Sequence, residues 1–199
     1  MKEILNELKK YAEENRVPII KDEAMQVLID VCKTKQPKNI LEVGTAIGYS
    51  LLTMLDNISV KANVISLELD ETRAEIAKNS INKACLTEFV EIIVGDAGKT
   101  LLELQKAQRK FDLVFIDADK INYTNYFDLV FDKVNKGGYI LADNVLWSGK
   151  IIAPLSEMDK DTLALHQFNE RIAHDNRLEK VLLPVRDGVM VMRKVKSEK

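Results

Sequence analysis

Cysteine is nearly absent from this chain. Only Cys32 and Cys85 occur, in no paired spacing, which excludes a disulfide or zinc framework and predicts reduced, semi-buried thiols. No apolar run approaches the ~20 residues of a membrane helix. The first residues, Met1 to Glu7, mix acidic and basic side chains and lack the apolar core and cleavage site of a secretory signal. These absences point to the cytoplasm and away from a membrane. An excess of one charge sign is missing as well: the formal net charge is -2, which argues against a wholesale electrostatic grip on nucleic acid but permits a local basic patch. Internal repeats, low-complexity tracts and linkers are also lacking, so the 199 residues read as one domain able to bury a continuous core. Hydrophobic residues at 46% and charged residues at 30% fit a globular protein.

The patterning divides the chain into a helical preface, residues 1–36, and a core, residues 37–195. In the preface, Ile4, Leu5, Leu8, Tyr11 and Ala12 repeat at helical spacing, and Asp22 is placed to cap a second helix carrying Met25, Leu28, Ile29 and Cys32. After Pro37, β-rich runs alternate with helical stretches. The runs are Asn39 to Val43, Asn63 to Leu69, Val90 to Val94, Phe111 to Asp117 and Gly138 to Asp143. Between them lie helical stretches at Tyr49 to Asp56, Glu71 to Ala84, Lys99 to Arg109 and Tyr123 to Val134. This alternation predicts βαβ units, a parallel sheet and right-handed crossovers. A last helix near Asp159 to Asp175 precedes strands at Glu179 to Arg186 and Val189 to Val195, joined by the turn pair Asp187-Gly188, so the final strand must be antiparallel. The tail Lys196 to Lys199 reads as frayed.

The stretch Leu41-Glu42-Val43-Gly44-Thr45-Ala46-Ile47-Gly48-Tyr49-Ser50 closes the first strand and opens a helix, where glycines let a ligand approach the backbone. Its glycines, Gly44 and Gly48, are four apart, unlike the tighter dinucleotide fingerprint, and Glu42 suits a cationic cofactor better than a pyrophosphate. The second strand ends at Glu68, 24 positions after Gly44, where a carboxylate can accept both ribose hydroxyls of an adenosine. The third ends at Gly95-Asp96-Ala97, within reach of an adenine. Each acidic residue alone is equally readable as a solvated strand-end charge, but three on successive strands beside a glycine loop favour a nucleoside site. Tyr49 and Ser50 carry a weaker signal, and Ile20 reads on its own as a core residue.

The fourth run delivers Asp117-Ala118-Asp119-Lys120 and the fifth Asp143-Asn144, so Asp117, Asp143 and Asn144 can converge at the carboxyl edge of adjacent strands. Two carboxylates and an amide oxygen form a hard, all-oxygen ligand set. It suits magnesium, manganese or calcium and disfavours zinc. Taken singly, Asp143-Asn144 is also a turn-forming pair and Asp117 a helix cap. His166 and His174 have no metal-ligand partner at i+3 or i+4 and read as structural or surface residues.

Together these motifs resemble the cation-dependent O-methyltransferase family that includes caffeoyl-CoA and catechol O-methyltransferases. The resemblance spans Val17 to Arg193 and rests on the Leu41–Ser50 segment, Glu68-Leu69-Asp70, Gly95-Asp96-Ala97, Phe115 to Lys120 and Asp143-Asn144-Val145-Leu146-Trp147. It implies an α/β, Rossmann-like, seven-stranded methyltransferase sheet, mostly parallel with the last strand reversed and helices on both faces, and a homodimer. It implies S-adenosyl-L-methionine as cofactor, contacted by Ile20, Glu42, Ser50, Glu68 and Ala97 with Asp117 and Asp119 nearby, and a divalent metal, most simply Mg2+, on Asp117, Asp143 and Asn144. Within the family, Val17-Pro18-Ile19-Ile20 and Trp147-Ser148-Gly149-Lys150 look most like the bacterial tRNA 5-hydroxyuridine methyltransferases.

The implied chemistry explains the residue set. Methyl transfer from a sulfonium is an in-line displacement needing an oxyanion nucleophile, and a bound cation lowers the acceptor's pKa and fixes its angle of attack. Lys120 can take the proton if a nearby cation depresses its pKa from about 10.4; it also reads as a solvated lysine at a helix start. As acceptor, 5-hydroxyuridine in a tRNA anticodon loop offers a carbonyl beside its hydroxyl, with Trp147 as a stacking surface and Lys35 and Lys150, together with Lys33, Lys38 and Lys136, as phosphate contacts. A small catechol or caffeoyl-type compound is the alternative. A nicotinamide dehydrogenase would need the tighter glycine fingerprint, and a non-catalytic module that binds S-adenosylmethionine or tRNA would not need the metal set or Lys120.

Overall fold

The computed structural model describes residues 1–195; the tail Lys196 to Lys199 lies outside the described residues. Helices α1 (Lys2–Asn15) and α2 (Asp22–Lys35) form the preface and lie on one face of the sheet, burying Leu8, Ala12, Met25, Leu28 and Cys32. Asp22 does not cap α2. It is the first helical residue, Lys21 holds the cap position, and the Asp22 carboxylate accepts a hydrogen bond from Lys9 Nζ at 2.6 Å.

The core then alternates β1 (Asn39–Val43), α3 (Tyr49–Asp56), β2 (Asn63–Glu68), α4 (Glu71–Lys83), β3 (Val90–Val94), α5 (Ala97–Lys106), β4 (Phe111–Ile116), α6 (Tyr123–Phe131) and β5 (Val134–Asp143). It finishes with α7 (Lys160–Ala173), β6 (Leu178–Leu183) and β7 (Val189–Lys194). The sheet has seven strands in the order β3-β2-β1-β4-β5-β7-β6, parallel except for β7, which runs antiparallel to both neighbours. Alternate residues of β1 explain the layering. Leu41 and Val43 join the core beneath α5, α6 and α7, while Ile40 joins the one beneath α1, α2 and α3. Both faces are covered, which is why the central strands are almost continuously apolar.

The differences from the sequence reading are local. β5 begins at Val134 rather than Gly138, because a register shift between Phe111 and Leu113 absorbs the intervening residues as an irregularity. α5 begins at Ala97 rather than Lys99, since the Asp96 carboxylate caps it by accepting from Lys99 N at 2.8 Å. β6 ends before Pro184, which has no N–H to give the ladder.

From β1 the chain moves outward through β2 and β3, and then returns to place β4 on the other side of β1. The crevice beyond the carboxyl ends of β1 and β4 is therefore the switch point where such sheets bind ligands. No helix among the described residues is long and apolar enough to cross a membrane.

One buried carboxylate ties the last helix to the last hairpin. Asp175, just past α7, accepts from Arg177 Nη2 at 2.6 Å and from Arg171 Nη1 at 3.0 Å, and these guanidinium groups hold its carboxyl down at about 2. A depressed folded pKa stabilises above the unfolded value, and the benefit fades as pH falls through the folded one. Asp175→Asn is expected to cost about 2 kcal/mol at pH 7. In urea titrations the gap between the two proteins should close as pH falls from about 4 towards 2. A gap independent of pH would mean that the ion pairs are not its origin.

Candidate active site

A cleft of about 540 Å³ opens at the switch point, a size that suits a small-molecule site. Its wall includes Ile20, Gly44, Ser50, Glu68, Asp96, Ala97, Asp117, Asp119, Lys120, Asp143, Asn144 and Trp147, all singled out from the sequence. Gly44 has φ 102°, and a Cβ there would stand 2.1 Å from the carbonyl oxygen of Asp117. The loop after β1 thus seats directly on the end of β4, which only glycine permits. Glu68 orders the same loop. Its Oε2 accepts from Ala46 N at 2.6 Å, holding that alanine at φ 46°, and its Oε1 accepts from Asp70 N at 2.9 Å. The carboxylate is thereby fixed at the cleft wall with lone pairs left for a ligand's hydroxyls.

Four candidates lie elsewhere. Gly48 is buried against Ala77 on α4, so it shapes the helix start without lining the cleft. Glu42 does not line the cleft either. It is fully buried behind the wall, accepting hydrogen bonds from Ser50 Oγ at 2.5 Å and from Ser66 Oγ. Strand alternation turns Glu42 away from the core shared by Leu41 and Val43 and under α3, which carries Ser50. Lys35 ends α2 near the start of β1, with Nζ 5.2 Å from the Tyr139 ring. That is the amino edge of the sheet, opposite the cleft, and Lys33, Lys38 and Lys136 share this end by chain position. Lys150 is exposed on the 3-10 segment Trp147–Ile152 and does not line the cleft.

On the acceptor side, Lys120 is buried at the start of a short 3-10 turn. Its Nζ donates to Asp117 Oδ1 at 3.0 Å and to Tyr123 Oη at 2.6 Å. Tyr123 Oη in turn donates to the Asp143 carbonyl at 3.0 Å. This wholly buried phenol links Lys120, the Asp117 carboxylate and the end of β5. Its ring packs edge-on against Phe168 on α7, 5.6 Å between centroids, and burial drives its pKa well above the ordinary value. The sequence showed Tyr123 only as an apolar helix position, because nothing in its spacing reveals a hydroxyl aimed back at a strand end. Tyr126, also on the cleft wall, donates to Asp119.

After β5 the backbone is held in unusual conformations: Asn144, Trp147, Ser148 and Gly149 all have positive φ, 61°, 46°, 53° and 78°. The β6–β7 turn clamps this run. Gly188 O accepts from Val145 N, Asp187 O from Leu146 N, and Asp187 Oδ1 from Ser148 Oγ. Gly188 itself abuts Leu146, and Asn169 Nδ2 on α7 donates to the Val145 carbonyl at 2.7 Å. Arg186 and Asp187 consequently line the cleft, a contribution from the far end of the chain that no local motif announced.

The donor set at the ends of β4 and β5 fits a hard divalent cation. Burial and the Asp117 carboxylate both push the Asp143 carboxyl upward, and the Asn144 N–H and the Lys120 ammonium offset this only in part, so the crowded acidic pair would gain from a further positive charge. Among the described residues no three His, Cys, Asp or Glu side chains form a metal cluster; the set here is two carboxylates and an amide oxygen.

Burial raises the Glu42 carboxyl to about 7, only partly offset by the Ser50 and Ser66 hydroxyls. A raised folded pKa means that native Glu42 holds a proton the unfolded chain has lost, so its contribution favours folding at low pH and is lost as pH rises. Thermal melts of the wild type should therefore show a decline between about pH 4.5 and 7. Glu42→Gln should flatten that decline, whereas parallel profiles would mean that Glu42 stays ionised throughout.

Comparison with known proteins agrees with this geometry. A caffeoyl-CoA O-methyltransferase from Stellaria longipes is 33% identical, covering 97% of this chain and 84% of its own length. Two solved structures superpose closely. An O-methyltransferase from Bacillus cereus in complex with SAH has a TM-score of 0.87 at 28% identity, over 96% of this chain and 91% of that one. The SAH-bound Podospora anserina methyltransferase PaMTH1 has a TM-score of 0.84 at 28% identity, over 97% and 88%. The family model described as O-methyltransferase matches residues 1–195, and with the switch-point cleft and its paired strand-end motifs this chain belongs to the O-methyltransferase family.

Proposed function

We propose that this protein transfers the methyl group of S-adenosylmethionine to one of two adjacent oxygens on a small catechol or caffeoyl-type acceptor, with the help of a divalent cation. The observation that carries the reading is one cleft lined both by the glycine loop at Gly44 with Glu68 at the end of β2 and by Asp117, Lys120, Asp143 and Asn144. SAH bound to two structural relatives supports the cofactor, and the names of the curated relatives favour the acceptor class.

Glu68 would take the ribose hydroxyls, and Asp96 and Ala97 would flank the adenine. Asp117, Asp143 and Asn144 would hold the cation, which lowers the pKa of an acceptor hydroxyl and orients it. Two of the three N–H positions of an ammonium at Lys120 are satisfied by Asp117 and Tyr123, and the residue itself lines the cleft. In its neutral form that nitrogen would receive the acceptor's hydroxyl proton. The new O–C bond forms as the S–C bond breaks, and sulfur keeps the electron pair as a thioether. A tRNA acceptor is disfavoured by the separation of Lys33, Lys35, Lys38 and Lys136 from the cleft mouth.

Glu68→Ala is expected to weaken S-adenosylmethionine binding by about 1.5–3 kcal/mol, read by calorimetry; an unchanged affinity in a folded variant would remove the ribose role. Asp143→Ala or Asn144→Ala should lower catechol turnover about 100-fold or more while leaving cofactor affinity close to wild type. Full turnover in excess chelator would refute the cation's part. Tyr123→Phe, which removes the link between Lys120 and Asp143, should lower kcat about tenfold with little change in the KM for cofactor. A loss carried mainly by that KM would assign Tyr123 to cofactor binding instead.

A further inference from the structure

The acceptor end of the cleft carries two cations that the methyl-transfer reading does not use. Arg186 lies at the tip of the β6–β7 turn, and Lys21 immediately precedes α2; both line the cleft. They come from opposite ends of the chain, yet they are neighbours. The Arg186 guanidinium reaches Glu23, two residues beyond Lys21, with Nε 4.0 Å from a carboxylate oxygen. That separation is an ion pair without a hydrogen bond, between side chains 51% and 63% exposed, so it is weak and readily exchanged for a better-placed carboxylate.

The surroundings fix which ligand could use these cations. Arg186 adjoins Asp187, whose carboxylate is already engaged by Ser148 Oγ. The same turn accepts backbone hydrogen bonds from Val145 and Leu146, next to Asn144 and Trp147. Arg186 therefore stands beside the proposed acceptor floor, between the Trp147 side and the start of α2, and remote from the Glu68 end of the cleft. A guanidinium there is shaped for two parallel hydrogen bonds to a carboxylate, which an ammonium cannot reproduce. Its backbone is fixed at φ 48° by the clamped turn, so the head group is offered from a defined base.

We infer that Arg186, assisted by Lys21, forms an anion subsite that selects acceptors carrying a free carboxylate on the catechol-type ring. This inference rests on the proposed catechol methylation and adds the charge of the substrate to it. An aromatic dihydroxy acid would direct its adjacent oxygens towards Asp117, Asp143 and Asn144 and its carboxylate outward to Arg186. Asp119 and Glu23 leave the mouth without a large cationic excess, so the selection comes from the geometry of one guanidinium and not from a general field.

Trp147 is the sole tryptophan of the chain and lies on the same wall, so its fluorescence reports acceptor binding without requiring turnover. The experiment titrates the protein, with magnesium and S-adenosylhomocysteine present, with 3,4-dihydroxybenzoate, its methyl ester and catechol, and measures methylation of each with S-adenosylmethionine. The acid should bind about tenfold more tightly than its ester. Arg186→Gln should erase that preference while catechol methylation stays near wild type, and Arg186→Lys should restore it only in part. Equal affinity for acid and ester in the wild type overturns the subsite and leaves catechol methylation standing. A preference that survives Arg186→Gln overturns it as well. Absence of methylation of all three compounds defeats the methyl-transfer reading, whereas an Arg186-dependent preference in the fluorescence titration still supports the subsite.

Discussion

The site depends on a contact between two strand ends with no room for a side chain. The Asp117 carbonyl occupies the space that a Cβ at residue 44 would need, so the loop after β1 rests on the end of β4. Asp117 N also donates to the Val43 carbonyl at 2.9 Å, locking the same junction from the other side. The loop that would meet the nucleoside and the aspartate that would meet the cation are thus parts of one rigid joint. A methyl donor and its acceptor must be aligned closely for in-line displacement, and a shared joint removes one source of relative motion.

Around that joint the protein buries an unusual density of ionisable groups. Glu42, Glu68, Lys120 and Asp143 are all buried, and each has a named partner: Ser50 and Ser66 for Glu42, two backbone N–H groups for Glu68, Asp117 and Tyr123 for Lys120, and Asn144 N for Asp143. Burial without partners would cost several kcal/mol per ion. Partners reduce that cost, but they leave the Glu42 and Asp143 carboxyls above their ordinary range. The stability of this region is coupled to proton occupancy, and at Asp143 a cation would relieve the same repulsion that a proton does.

The acceptor side is built differently, from strained backbone held by distant elements. Positive φ at Asn144, Trp147 and Ser148 disfavours side-chain-bearing residues and persists only where the surroundings enforce it. Here the β6–β7 turn, through its carbonyls, and the Asn169 side chain of α7 supply that enforcement by hydrogen bonds to the backbone of Val145 and Leu146. β7 must run antiparallel beside β5 for this turn to reach the segment after β5, so the reversed strand has a direct consequence for the cleft. Asp175, which anchors the hairpin to α7, belongs to the same support.

Local chemistry made much of this legible in the sequence. The strand-helix alternation, the glycine loop and the acidic strand ends at Glu68, Asp96, Asp117 and Asp143 follow from short-range patterning, because a parallel sheet brings successive carboxyl ends to one edge whatever lies between them. The antiparallel last strand followed from the turn pair Asp187-Gly188, although the connection itself is longer and runs from Pro184 to Gly188. Which side of a strand each residue faces, and what lies behind it, required tertiary structure. Glu42 was expected to meet a cofactor, but strand alternation sends it behind the wall. Lys35 was grouped with the acceptor contacts, but α2 ends at the amino edge of the sheet. Tyr123 and Arg186 had no motif to mark them, since a tyrosine in an amphipathic helix looks like core and an arginine in a turn looks like surface. Sequence determined which chemical groups the edge of the sheet would carry; only the packing of α6, α7 and the final hairpin decided which of them face the cleft, because those contacts join residues far apart in the chain.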